Sequence, residues 1–166
     1  MKRLSRRLAA LLMAMVMVLA MGVTSFAQET SNKNVNVHFV SRDATVANPE
    51  NSNILTVNVT VSADDTIQEV VDAALEQREI NSDLPCIATW SGDATAQYLD
   101  GITIDGVAYN NVYEYTPEGD KTRYTGTSWM WNYDGKFDYP EYYMNQTTIG
   151  DHGNVYLIYE KSSFVF

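Results

Sequence analysis

The chain is predicted to fold as an α+β domain, a mixed sheet carrying one packed helix. Three observations predict it. Two stretches before residue 62 alternate apolar and polar residues. One capped amphipathic stretch follows them directly, and several short strand-and-turn patterns then run to the C-terminus. Strand, strand, helix, strands is the order of a β-grasp-like arrangement.

Val35, Val37 and Phe39 alternate with Asn36 and His38, the period of a strand with one buried face. A polar connection over 41–52 carries Pro49. Leu55, Val57, Val59 and Val61 then alternate with Thr56, Asn58 and Thr60, so the two strands are expected to pair as an antiparallel hairpin. Thr66 with Glu69 three residues later is a capping-box signature, and Asp64 and Asp65 place negative charge ahead of the helix dipole. Ile67, Val70, Val71, Ala74 and Leu75 fall on one helical stripe, and the helix is expected to end near Ile80 and Asn81, before Pro85.

Residues 101–106 read as a short strand closing on the Asp105-Gly106 turn. Residues 128–133 read as another, ending at Asp134-Gly135, and the turn at 150–153 leads into a last strand over 155–159. The segment 109–127 contains Pro117, Gly119 and Gly126. It reads as a connection too long and polar for a simple hairpin, of the kind that is usually functional or disordered.

Residues 1–7 are basic, 8–23 are uncharged and mostly apolar, and Ser25-Phe26-Ala27 offers a signal-peptidase site. A leader over 1–27 cleaved after Ala27 is expected, giving a secreted protein without a membrane anchor. The organisation that follows is a strand and polar connection over 28–52, its first residues 28–34 frayed, and a domain over 53–166. The formal net charge is −10 over 166 residues. Cleavage would remove Lys2, Arg3, Arg6 and Arg7 and leave the remainder still more acidic. Such a charge repels phosphate backbones and anionic lipids, so neither nucleic acid nor membrane is an expected partner. The single cysteine, Cys86, excludes an intrachain disulfide and is expected to be buried and inert.

Catalytic chemistry finds little to work with. His38 is expected to face solvent from a strand and His152 sits in a turn. No nucleophile elbow, His-x-x-x-His pair or Cys-His arrangement occurs, so the chain reads as non-enzymatic with no catalytic residues. Asn132, Asp134 and Asp138 loosely space oxygen ligands. Lys136 occupies a would-be ligand position, however, and Tyr143 stands where a bidentate glutamate is needed, so no metal site is assigned.

The aromatic residues carry the functional signal. All 11 tyrosines lie between Tyr98 and Tyr159, together with Trp129 and Trp131. Trp129, Trp131 and Tyr133 recur at period two and share one strand face, with Met130 and Asn132 on the other. That face is either core or, with Tyr124, Tyr142 and Tyr143 from adjacent loops, a patch for a flat ligand or a partner's apolar surface.

The capped helix after the second strand, the Gly101-to-Gly106 segment, the run from Ser128 through Trp129, Met130, Trp131, Asn132, Tyr133 and Asp134 to Gly135, and the final Gly-Asp-x-Gly turn occur in an order that resembles the transcobalamin-like C-terminal domain family. The likeness spans residues 55–160. Asp134-Gly135 stands where that family typically has Asn-Gly. The resemblance implies a secreted β-grasp-like domain. In vertebrate cobalamin carriers the similar domain closes over one face of a corrinoid, opposite a large helical domain that this chain lacks. Cobalamin, or another corrinoid, is therefore the ligand the resemblance implies, with no resident cofactor. The alternative expectation is an adhesive or structural domain that recognises a surface protein or wall polymer.

Overall fold

A computed structural model describes residues 32–136, 138–140 and 142–166. The leader expected over 1–27 lies outside them. The described elements are β1 (Asn32–Asp43), β2 (Ser52–Ser62), α1 (Ile67–Ser82), β3 (Ile87–Asp93), β4 (Ala96–Ile104), β5 (Val107–Asn110), β6 (Val112–Glu118), β7 (Lys121–Asn132), a 3-10 turn (Met144–Gln146) and β8 (Asn154–Val165). They form an α+β mixed-sheet fold, as the sequence predicts. One sheet has the order β2-β1-β8-β7-β6 and the other β3-β4-β5. Among the described residues, no helix is long and apolar enough to cross a membrane.

The β1–β2 hairpin is antiparallel, with Val35 opposite Val59 and Val37 opposite Val57. Its inward face is closed off from water: Val35, Val37 and Phe39 are fully buried. β8 lies on the other side of β1 and pairs with it in parallel, Val37 opposite Val155 and Phe39 opposite Leu157. Burying each such side chain contributes roughly 1.5–3 kcal/mol. Thr66 caps α1 with the full reciprocal box: its side chain accepts from Glu69 N–H while Glu69 accepts from Thr66 N–H. The stripe Ile67, Val70, Val71, Ala74 and Leu75 is buried as expected. The helix continues to Ser82 and ends on Asp83 in the left-handed region at φ 57°.

Three expectations are corrected. Residues 32–34 are not frayed: they open β1, with Asn34 opposite Thr60. The 41–52 connection begins later, because β1 continues to Asp43. The 109–127 segment is not a long loop. It holds β6 and the first half of β7, joined at a tight Gly119-Asp120 turn, and Tyr124 belongs to strand β7 rather than to a loop. Every residue of β6 is exposed, so the apolar alternation that marks a half-buried strand is missing there. The strand β3, paired with β4 across residues 94–95, shows that mark only at Ala88 and Trp90, which are half-buried against the core while the apolar Ile87 is exposed.

Candidate functional site

The two sheets part company at Asn111, the single residue between β5 and β6. Its N–H donates to the Asp100 carbonyl at 2.8 Å, and its Nδ2 donates to the Leu99 carbonyl at 2.8 Å. Its Oδ1 accepts the Trp129 N–H at 3.0 Å. One amide side chain therefore ties β4 to β7 at the point where β5 leaves one sheet and β6 joins the other. Trp129 is fixed again at its far end, where Nε1–H donates to the Tyr109 carbonyl at 2.7 Å.

Beside this fork lies an open cavity of about 490 Å³. Tyr98, Leu99 and Asp100 of β4 line one part of it, and Trp129, Met130 and Trp131 of β7 another. Tyr113 of β6 and the connection through Tyr139, Pro140, Tyr142, Tyr143 and Met144 complete the wall. Among the described residues Asp100 is the carboxylate in this lining, and none of them brings a basic side chain to it. The volume falls within the range of small-molecule sites, about 300–1,000 Å³.

The indoles contribute from within the core. Trp129 and Trp131 are almost wholly buried and belong to the main apolar cluster, so their exposed edges form a floor rather than a projecting patch. The tyrosines supply the accessible rim. Tyr142 is 68% exposed and Tyr98 53%. Tyr98 and Tyr143 meet edge to face at 5.1 Å with their hydroxyls 3.0 Å apart. That hydroxyl contact, with the repulsion between the two phenolates, pushes the Tyr98 phenol above its ordinary value.

Of the six residues singled out in the sequence, Trp129, Trp131, Tyr142 and Tyr143 come together here. Tyr124 and Tyr133 do not line the cavity. Tyr124 is buried between Tyr115 and Phe164, with ring centroids at 5.7 and 4.8 Å. Tyr133 stacks on His152 at 3.5 Å over a neighbouring cleft that also holds Asp134 and Asp138. Tyr98, Tyr113, Tyr139 and Asn111 join the site unannounced. The tyrosine surplus was their signal, but only the β4–β7 approach selects these from the rest.

A buried polar cluster holds Gly135, Lys136 and Tyr139 against the central strands. Arg42 of β1 donates through Nε to Glu160 at 2.8 Å and through Nη1 to the Gly135 carbonyl at 3.2 Å. The Tyr139 hydroxyl donates to Glu160 and accepts from Arg42. Burial, and then the Glu160 carboxylate, push the Tyr139 phenol far above its ordinary value. Tyr139 thus reaches from a groove wall into the strand pair behind it.

Elsewhere, His38 is half-buried rather than simply solvent-facing. It stacks on Tyr156 at 4.3 Å and contacts Thr56 and Asn154, each at 3.2 Å. Cys86 is buried, and its Sγ accepts the Asp105 N–H at 3.2 Å. Asp134 pairs with Lys136 at 3.2 Å, and no three His, Cys, Asp or Glu side chains converge among the described residues. No family model matches the chain, and no curated protein matches it.

Proposed function

We propose that this protein is an exported, non-enzymatic ligand-binding module, β-grasp-like in fold, whose aromatic groove receives a flat ligand. The groove carries the reading: a preformed concavity with an indole floor, a phenol rim and a few polar groups at Gln97, Asn111 and Asp100. Rings present large area with few rotors to freeze, so contact with a planar molecule costs little side-chain entropy. The β-grasp assignment is supported by the parallel pairing of the first and last strands, with the helix following the first hairpin.

A corrinoid is the most specific ligand of this class, on the sequence resemblance. The lining suits stacking and amide hydrogen bonding. It contains no histidine, so the groove would hold the macrocycle by one face and offer the cobalt no imidazole. A corrinoid is larger than the cavity, and the opposite face would stay uncovered. Titrating the protein with cobalamin while following tryptophan fluorescence and corrinoid absorbance tests this reading. A saturable change is expected, and none up to high micromolar ligand contradicts it.

A second reading, recognition of a surface protein or wall polymer, is favoured by the exposed rings of Tyr115, Phe164 and Phe166, which lie outside the groove lining on β6, β8 and the C-terminal residue.

A further inference from the structure

Both outer strands of the five-stranded sheet, β2 and β6, have one unpaired edge among the described residues. The two differ in what surrounds that edge. Beside β2 is a polar ladder: Asn58 Nδ2 donates to Asn36 Oδ1 at 2.9 Å, and Thr60 Oγ1 donates to Asn34 Oδ1 at 2.8 Å. Beside β6 the surface is aromatic. The rings of Tyr113 and Tyr115 lie 6.0 and 5.7 Å from that of Tyr124, which stacks on Phe164. Tyr115 is 61% exposed.

One bond sets the direction of the β6 backbone. Asn111 N–H donates to Asp100 of β4, away from β7. Main-chain groups alternate sides along an antiparallel strand. Val112, Glu114 and Thr116 therefore face β7, and the amides of Tyr113 and Tyr115 face outward. Pro117 holds the next outward position and has no N–H, which ends the row of donors. An edge with two free amides flanked by exposed rings is a template for an added strand.

We propose that the outer edge of β6 docks an extended segment of a partner protein in which basic and apolar residues alternate. Side chains also alternate along β6, so Glu114 emerges on the face opposite the two tyrosines. Glu114 has no ion pair among the described residues. The segment's basic residues lie beside Glu114, and its apolar residues lie beside Tyr113 and Tyr115. A second copy of this chain is disfavoured, since each copy has a net charge of −10 and would bring another Glu114 to the junction. This inference rests on the protein-recognition reading and not on the corrinoid one.

The test uses capped peptides of about eight residues, the length of a short strand, with repeating Lys-Val or repeating Glu-Val sequence. Amide hydrogen exchange at Tyr113 and Tyr115 and the binding affinity are measured with each. The Lys-Val peptide is expected to bind saturably and protect both amides, and the Glu-Val peptide to bind weaker by about tenfold or more. Tyr115→Pro removes an outward N–H together with the ring beside it, without touching the β6–β7 ladder, and is expected to weaken binding by about tenfold, more than Tyr115→Ala, which removes the ring alone. Glu114→Lys, which leaves the backbone unaltered, is expected to reverse the preference between peptides. Equal affinity for the two peptides, unprotected amides, or binding indifferent to Tyr115→Pro and Glu114→Lys overturns the proposal. So does a dimer seen by light scattering without peptide, which would give the edge to a second copy. Cobalamin titration of Tyr115→Pro reads the groove separately, so the failure of one reading leaves the other measurable.

Discussion

Arg42 and Glu160 stand opposite one another in the parallel β1–β8 pair, and Arg42 Nε donates to Glu160 Oε2 at 2.8 Å. Their side chains are only 2% and 10% exposed. Charges taken so far out of water are tolerated because each is paired and further hydrogen-bonded, here to Tyr139 and to the carbonyl of Gly135. The pair joins the oldest part of the sheet in chain order to the last strand. It also fixes the segment that walls the groove.

Removing one partner should therefore cost far more than an exposed ion pair would. Arg42→Ala leaves Glu160 buried without its counter-charge and is expected to destabilise the fold by about 3–5 kcal/mol. Arg42→Met with Glu160→Leu, which removes both charges, is expected to cost much less. Urea unfolding monitored by tryptophan fluorescence gives both values.

Tyr139 makes the same cluster sensitive to alkali. Its phenol is neutral in the fold, and its folded value is raised above the unfolded one by burial and by Glu160. A group shifted in that direction contributes its full stability below the unfolded value, about pH 10 for tyrosine, and loses it as pH climbs toward the folded value. Thermal stability is expected to fall above about pH 10, and Tyr139→Phe is expected to flatten that decline. Melting curves between neutral pH and the alkaline limit, run on both proteins, check it.

Asn111 is the tie between the sheets. Asn111→Ala deletes the acceptor for Trp129 N–H and the donor for the Leu99 carbonyl while leaving its backbone bond to Asp100. A loss of about 1 kcal/mol is expected, from two part-buried backbone groups left without their side-chain partner. Trp129 emission should also shift, because the lost bond holds the Trp129 main chain, from which the indole reaches the Tyr109 carbonyl. Denaturation midpoints and emission spectra read the two effects together.

Cys86 is buried, and burial pushes its thiol above the ordinary value. Since the thiolate is the reactive form, native protein at neutral pH is expected to resist a disulfide reagent that reacts at once in denaturant. Following released chromophore with and without urea measures this.

Much of the scaffold was legible from the sequence, because it is built where burial imposes a pattern. Val35, Val37 and Phe39, the stripe from Ile67 to Leu75, and the Thr66–Glu69 box each obey a local period that hydrophobicity or capping explains. β6 obeys none, since all its side chains meet solvent and its Tyr, Thr and Glu residues resemble a polar connection. Arg42 was invisible for a different reason: its partner is 118 residues away, and a buried charge looks like a surface one until the strands are paired. The site was legible in composition but not in membership. Period two placed Trp129 and Trp131 together. Whether Tyr124 or Tyr98 reached the groove depended on how β4 approaches β7, which no local spacing encodes.

The central claim, that the rings around the cavity are a binding surface, is tested most directly at Tyr142. This residue lines the groove yet is 68% exposed, so Tyr142→Ala is expected to change stability by no more than about 0.5 kcal/mol. Cobalamin affinity measured for this variant against the parent protein is the deciding comparison. A loss of about tenfold with an unchanged melting curve is the predicted result, in keeping with one ring contact of about 1–2 kcal/mol. Equal affinity in the two proteins would contradict the claim and leave the aromatic floor as core packing alone.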